Sequence, residues 1–340
     1  MKSTILKSCL MMAGILLFIT PSTVAQTNPS PSGDPFIGMY EGAYHATGRP
    51  AYPASASLVS QGRGVYRLAV RYQTGASLAE FGQVELHGVA QGPRLTVSGY
   101  ANNISWNGTV ENGVLTLGRS DPHYGGRFAL HKVIHLSPTE GMKPPRNATV
   151  LLPFEPGQET NLDSWTNSKW ELSHDGTMRV KGGTGDNRTK ESFGSIRLHL
   201  EFNLAHMPEE NGQGRSNSGI YFQDRYEVQI LDSFGIIPGS GDCGGIYEQS
   251  APRINACYPP GQWQTYDITF RAAEFDRSGK IKTYPQVTVE LNGVVIQENH
   301  EFKVVTGGAV NDKVVDRARM RLQDHGDPVK YRNIWVVELD

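Results

Sequence analysis

Charge, cysteine and long apolar runs are all scarce in this chain, and each scarcity narrows what the protein does. Asp, Glu, Lys and Arg make up 19% of the 340 residues, against roughly 25% in ordinary soluble domains. The net charge is −2 and no Lys/Arg run stands out, so nothing here attracts a polyanion and nucleic acid is excluded as a partner. No stretch reaches the ~18 apolar residues that a transmembrane helix requires. No helix-period segment of useful length occurs between Phe36 and Leu136, and the chain contains no HExxH, P-loop, GxSxG or paired CxxC pattern. His131 and His135 are spaced for a helix but lie in a strand-like run, which argues against a metal site there. Glycine, in contrast, is abundant at 38 residues. Few charges, many glycines and many aromatics suit an all-β protein with frequent turns.

The N-terminus reads as a signal peptide over residues 1–25. Lys2 and Lys7 form its positive start, Leu10 to Ile19 its apolar centre, and Thr23 and Ala25 a small-residue cleavage site. Loss of this leader takes the charge to −4 (30 Lys+Arg against 34 Asp+Glu) and leaves no transmembrane segment. The expected location is secreted or periplasmic. Of the three cysteines, Cys243 and Cys257 remain in the mature chain, and an oxidising compartment makes a disulfide between them the expectation.

Residues 26–35 (QTNPSPSGDP) form a flexible lead-in without apolar period. Residues 36–136 carry short alternating runs such as Val65 to Val70, Gly82 to Leu86 and Val114 to Leu117. Turns such as Gln61-Gly62-Arg63-Gly64 and Glu111-Asn112-Gly113 separate them, a pattern for a small β barrel or sandwich. Residues 137–147, with three prolines, are a linker or strap. Longer strands fill 148–340. Ile196, Leu198, Leu200 and Phe202 share one face of a strand, with His199 and Glu201 on the other. Val287 to Leu291 and Val294 to Gln297 flank Asn292-Gly293, a strong hairpin signal. Long antiparallel strands with one apolar face each imply two stacked sheets.

Chemistry concentrates around Tyr226 to Leu231. Val228 and Ile230 point to the core, so Glu227 and Gln229 point away from it. Beside Glu201 and His199 of another strand they suggest a polar site, although from alternation alone a solvated sheet face is the simpler reading. Asn217 precedes this strand and is equally a turn former. Tyr247, Glu248 and Arg253 follow it. Gln323, His325 and Arg332 lie near the C-terminus, where a lone turn histidine is ordinarily a surface residue.

At these residues the chain resembles a known family. The segments Asn217-Ser218-Gly219-Ile220-Tyr221, Tyr226 to Ser233, Gly245-Ile246-Tyr247, Gly261 to Ile268, Leu291-Asn292-Gly293-Val294, Leu322 to Gly326 and Tyr331-Arg332-Asn333-Ile334 follow the order of the 3-keto-disaccharide hydrolase family. Val150 to Phe154 and Leu162 to Trp165 look like that family's opening strand and tryptophan. The resemblance spans about Ala148 to Leu339 and leaves Phe36 to Leu136 outside. Glu201 matches an acidic residue that members carry before the Asn-Ser-Gly motif, but Phe202 follows where many have Trp. Met207 to Arg215 is longer and more polar than the family's spacing, which puts the shape of the site's mouth in doubt.

The resemblance implies a concanavalin A-like jelly roll acting on a carbohydrate, a 3-keto-glycoside or related glycan. A 3-keto group acidifies the C2 proton, so a base removes it, the C1 glycosidic oxygen leaves, and water adds to the enone. On this resemblance Glu227 or His325 is the base. Glu201, Gln229, Gln323 and Asn217 position hydroxyls, and Arg253 or Arg332 stabilises an oxyanion. The resemblance leaves a cofactor open: a divalent metal on Glu201, Glu227 and His325 would polarise the keto group. The competing expectation is a non-catalytic carbohydrate-binding jelly roll that stacks sugars on Tyr221, Tyr247 and Trp263.

Overall fold

In a computed structural model of the protein, residues 31–75, 80–120 and 125–339 are described. The leader read as a signal peptide lies outside them. Among the described residues no helix is long and apolar enough to cross a membrane.

The first unit is a closed antiparallel barrel of eight strands joined in chain order, with the last pairing back to the first. They are β1 (Gly38–Ala46), β2 (Tyr52–Ser60), β3 (Val65–Gln73), β4 (Phe81–Gln91), β5 (Arg94–Ala101), β6 (Ile104–Glu111), β7 (Val114–Arg119) and β8 (Gly126–Val133). Alternation sets the wall. Leu58, Leu68, Val70, Val84, Leu86, Leu95, Val97, Leu115 and Leu130 fill the interior, while Glu85, His87, Thr96, Ser98, Asn107 and Thr116 face outward. Apolar-in and polar-out is the inverse of a lipid-facing barrel. Closure leaves no free sheet edge.

The second unit is two facing sheets. Its strands run β9 (Thr149–Leu152), β10 (Glu171–Leu172), β11 (Met178–Arg179), β12 (Asn187–Phe193), β13 (Ile196–Asn203), β14 (Ser218–Phe222) and β15 (Tyr226–Ile230). Then follow β16 (Trp263–Arg271), β17 (Glu274–Phe275), β18 (Ile281–Thr283), β19 (Gln286–Leu291), β20 (Val294–Glu301), β21 (Ala318–Leu322) and β22 (Lys330–Glu338). The large sheet has the order β10-β11-β22-β13-β16-β19-β20, with β9 also on β22, and the small sheet β12-β21-β14-β15. Leu198, Leu200 and Phe202 of the large sheet and Ile220, Val228 and Ile230 of the small one share a single core. Phe222 stacks on Phe270 across it, ring centroids 4.8 Å apart. The β19–β20 hairpin turns on Asn292 and Gly293, both in the left-handed region at φ 53° and 77°, as that dipeptide favours.

Cys243 and Cys257 correct an expectation. Both are free, buried thiols, hydrogen-bonded to each other. Cys243 Sγ also lies 3.2 Å from the Tyr266 hydroxyl, which donates to the Gln229 carbonyl at 2.7 Å. This chain of partners satisfies the pair without a covalent link.

Contacts on two sides join the units. Phe234, from the loop after β15, is part of the barrel's core, and the Arg67 guanidinium of β3 donates to the Gly235 carbonyl beside it. On the other side Ser137 to Met142 straps across the outer face of the large sheet. Thr139 donates to Asp267 at 2.7 Å, the Gly141 amide to Glu201 at 2.6 Å, and Asn333 to the Met142 carbonyl at 3.0 Å. Glu201, fully buried, is the hub: it also accepts from Arg332 Nε at 2.6 Å and Asn333 Nδ2 at 2.8 Å. Burial opposes its charge, but hydrogen bonds from His199 and Asn333 and the Arg332 guanidinium outweigh that and hold its carboxyl below the usual range. Removing one partner of such a buried pair strands the other charge. Glu201→Ala is therefore expected to cost about 3–5 kcal/mol in urea unfolding at pH 7, and a loss within experimental error would show that the strap does not need this hub.

Candidate functional site

Period two gives the small sheet a second face. With Ile220, Val228 and Leu322 in the core, Gly219 and Tyr221 of β14, Glu227 and Gln229 of β15 and Arg321 of β21 turn outward. The register sets Tyr221 opposite Glu227, Gly219 opposite Gln229, and Tyr221 opposite Arg321 on the other side. All four polar side chains among these are buried, because a loop roof covers them. Tyr247 hangs its amide on the Glu227 carbonyl, and Thr306 Oγ1 accepts the Glu227 amide at 2.9 Å. The Gly307 carbonyl lies 3.1 Å from the Tyr221 hydroxyl, and Arg321 Nη2 donates to Gly308 O at 2.7 Å.

The Glu227 side chain folds back over Gly219. A Cβ at Gly219 would lie 2.2 Å from Glu227 Oε1, so only glycine leaves the carboxylate its place. Tyr221 donates its hydroxyl to Oε2 at 2.7 Å, and Gln323 Nε2 approaches that hydroxyl at 3.4 Å. The Arg321 guanidinium lies 3.7 Å from the centre of the Tyr221 ring. Asp186 at 3.2 Å and Asp224 at 2.9 Å hold it there. Asn217 and Gln229 meet through Gln213, whose Oε1 is 3.1 Å from both amide nitrogens. Asn217 Oδ1 is buried without a hydrogen-bond partner, an acceptor open to a ligand hydroxyl.

Burial pushes the Glu227 carboxyl up to about 7. The Tyr221 hydrogen bond and Arg321 pull it down less than burial, with Glu248 and Asp186, raises it. Burial and the neighbouring Glu227 raise the Tyr221 hydroxyl far above its usual range, so it stays a donor. A carboxyl poised near neutrality, held by a neutral donor in a covered polar site, suits proton transfer.

The structure thus brings together Glu227, Gln229, Asn217 and Gln323, with Tyr247 in the roof. His325 is exposed in the loop after β21, between Gln323 and Asp327. Asp327 accepts the Asn217 amide at 2.7 Å, which puts His325 on the rim. Three expected members are elsewhere. Glu201 lies on the outer face of the large sheet, across the core from Glu227, because β13 pairs with β16 and β22 and not with the small sheet. Arg332 is its partner there and packs over Trp263 at 4.0 Å and Phe154 at 4.5 Å, so Trp263 is no free stacking surface. Arg253 is exposed and pairs with Glu298. The proposed metal set of Glu201, Glu227 and His325 is therefore not assembled, and among the described residues no group of three or more His, Cys, Asp or Glu is placed to hold an ion. Tyr221, considered only as a stacking surface, is instead the partner of the carboxylate. Arg321 was missed, although it stands only two residues before Gln323.

The raised Glu227 carboxyl fixes a sign. The fold holds a proton that the unfolded chain releases near pH 4.5, so stability is full below that pH and falls as pH rises to about 7. Glu227→Gln is expected to be more stable than wild type by about 3 kcal/mol at pH 8, with the gap closing towards pH 4.5. Urea melts at both pH values check it, and a less stable variant at pH 8 contradicts the assignment.

No curated protein matches the chain. A solved structure from Parabacteroides distasonis, described as a "putative glycosyl hydrolase", is 34% identical over 57% of this chain and 85% of its own, with a TM-score of 0.51. A second structure so described from that organism is 15% identical, over 57% of this chain and 95% of its own, with a TM-score of 0.42. Residues 150–337 match the 3-keto-alpha-glucoside-1,2-lyase-like domain. The two-sheet unit that carries Glu227 is that domain, and the chain belongs to this family.

Proposed function

We propose that this protein is an exported enzyme that cleaves 3-keto-glycosides by elimination, with Glu227 as the base. The two facing sheets support reading its domain as a concanavalin A-like jelly roll, and the leader at residues 1–25 supports a secreted or periplasmic location. The observation that carries the proposal is the buried Glu227 carboxyl, raised to about 7 and hydrogen-bonded to Tyr221.

The carboxylate takes the C2 proton of the keto-sugar. The C2–H electron pair forms the enolate with the C3 carbonyl. The enolate collapses to a C1–C2 double bond and expels the C1 oxygen, which gains a proton as it leaves. Water added across that double bond regenerates a 3-keto sugar with a free C1 hydroxyl, completing net hydrolysis. Asn217, Gln229 and Gln323 supply amides for the sugar hydroxyls. His325, on the rim, protonates the leaving oxygen. Arg321 does not touch the reacting atoms; it fixes Tyr221, which fixes the carboxylate. Glu227 is only 2% exposed, so entry requires the Gly307-Gly308 segment to lift from Tyr221.

A purely binding protein gains nothing from a carboxyl whose ionisation the fold resists, which favours catalysis. Mature protein is expected to cleave a 3-keto-glucoside and leave the plain glucoside intact. Its kcat/KM should rise about tenfold per pH unit below about 7 and level above it. Glu227→Gln should lose at least about 100-fold and Arg253→Ala almost nothing. Binding without cleavage, or Glu227→Gln within a few-fold of wild type, rejects the proposal.

A further inference from the structure

The barrel's two ends differ. Phe234 closes the end formed by the start of β1 and the end of β2, where Val59 and Ser57 also meet Gly235. The opposite end, at the close of β1, β3 and β7 and the start of β2 and β8, opens into a cavity of about 410 Å³. That is within the ~300–1,000 Å³ of small-molecule sites.

Its lining is built from aromatic rings, hydroxyls and two arginines. Tyr44 and Tyr72 pack with ring centroids 4.6 Å apart, and each lies on Phe128, at 4.8 Å and 5.0 Å. Trp106 supports Phe128 from below at 5.5 Å. Tyr52, Thr47 and Thr74 complete the wall. Two glycines make the room: a Cβ at Gly82 would lie 2.4 Å from the Tyr72 ring, and one at Gly126 2.5 Å from the Tyr44 hydroxyl and 3.0 Å from Arg119 Cδ.

Among the described residues neither arginine pairs with a carboxylate. Arg119 lies 5.7 Å from the Trp106 ring centre, and its Nε is buried with no hydrogen-bond partner. Arg49 has no carboxylate partner among the described residues. Elsewhere on the barrel Arg63, Arg67 and Arg94 each pair with a glutamate, at 3.5, 3.1 and 2.8 Å. No carboxylate lines the cavity among the described residues. A guanidinium with an orphaned buried N–H and no described carboxylate in its cavity fits an acceptor from outside, and its planar fork matches a carboxylate. Tyrosine faces and hydroxyls suit a sugar ring.

We propose that the open end of the barrel binds an acidic sugar, a uronate whose carboxylate sits on Arg119 and Arg49 and whose ring packs on the tyrosines. The sugar class rests on the family of the adjoining domain; the acidic group rests on the two arginines alone. The barrel would then hold an acidic glycan while the second domain acts on a neighbouring residue.

Isothermal titration of the mature protein with a short oligouronate, its neutral counterpart and a sulfated oligosaccharide tests this. The oligouronate is expected to bind at least about tenfold more tightly than the neutral sugar, and less tightly at high salt. Arg119→Gln should weaken it about tenfold or more with thermal unfolding unchanged, and the exposed Arg49→Gln, which leaves the barrel's packing alone, by several-fold. Both variants should cleave a neutral 3-keto-glucoside as wild type does, so failure of the cleavage proposal leaves this result readable. Equal affinity for acidic and neutral sugars, no uronate binding, binding confined to the sulfated sugar, or Arg49→Gln at wild-type affinity overturns it.

Discussion

The apolar layer between the two sheets of the C-terminal unit constrains every polar position around it. Leu198, Leu200 and Phe202 on one side and Ile220, Val228 and Ile230 on the other are fully or almost fully buried. At roughly 25 cal/mol per Å² of apolar surface, moving any of these strands by one residue would exchange its whole apolar set for a polar one. The layer therefore fixes the register, and the register fixes which residues face out. On the large sheet the outward set includes His199 and Glu201; on the small sheet it includes Tyr221, Glu227 and Gln229.

Two buried glutamates show what is done with those faces. Glu201 has Arg332, Asn333, His199 and the Gly141 amide around it, and its charge is held. Glu227 has one neutral donor, Tyr221. The nearest guanidinium, Arg321, is already shared between Asp186 and Asp224. A full set of partners makes a carboxylate a structural anchor, whereas an incomplete set raises its proton affinity and leaves it free to exchange a proton. The stability given up at Glu227 is tolerable because the strap hub and the shared core lie elsewhere in the fold.

Much of this was legible in the chain. Alternation gave the barrel strands and the two faces of β13 and β15, and Asn292-Gly293 gave the hairpin. The failures share one cause. Alternation says which side of its own strand a residue occupies, but not which sheet the strand joins, so Glu201 was grouped with Glu227 although the core separates them. Arg332 and Trp263 were misplaced with it. Arg321 escaped notice because its neighbours in space, Tyr221 and Asp186, are far from it in sequence. The disulfide expectation counted cysteines and compartment but could not count the tyrosine hydroxyl that completes the thiols' hydrogen bonding.

Phe234 ties the two halves into one argument. It leaves the loop directly after β15, the strand that carries Glu227 and Gln229, and ends in the core of the barrel. Asp232, two residues earlier, accepts from Arg215 at 2.7 Å, in the same loop region that supplies Gln213 to Asn217 and Gln229. Any displacement of the barrel that withdraws Phe234 must therefore pull on the segment that orders the amide side of the site. Because a withdrawn Phe234 would expose both its own ring and the barrel's closed end, the docked arrangement is favoured by apolar burial.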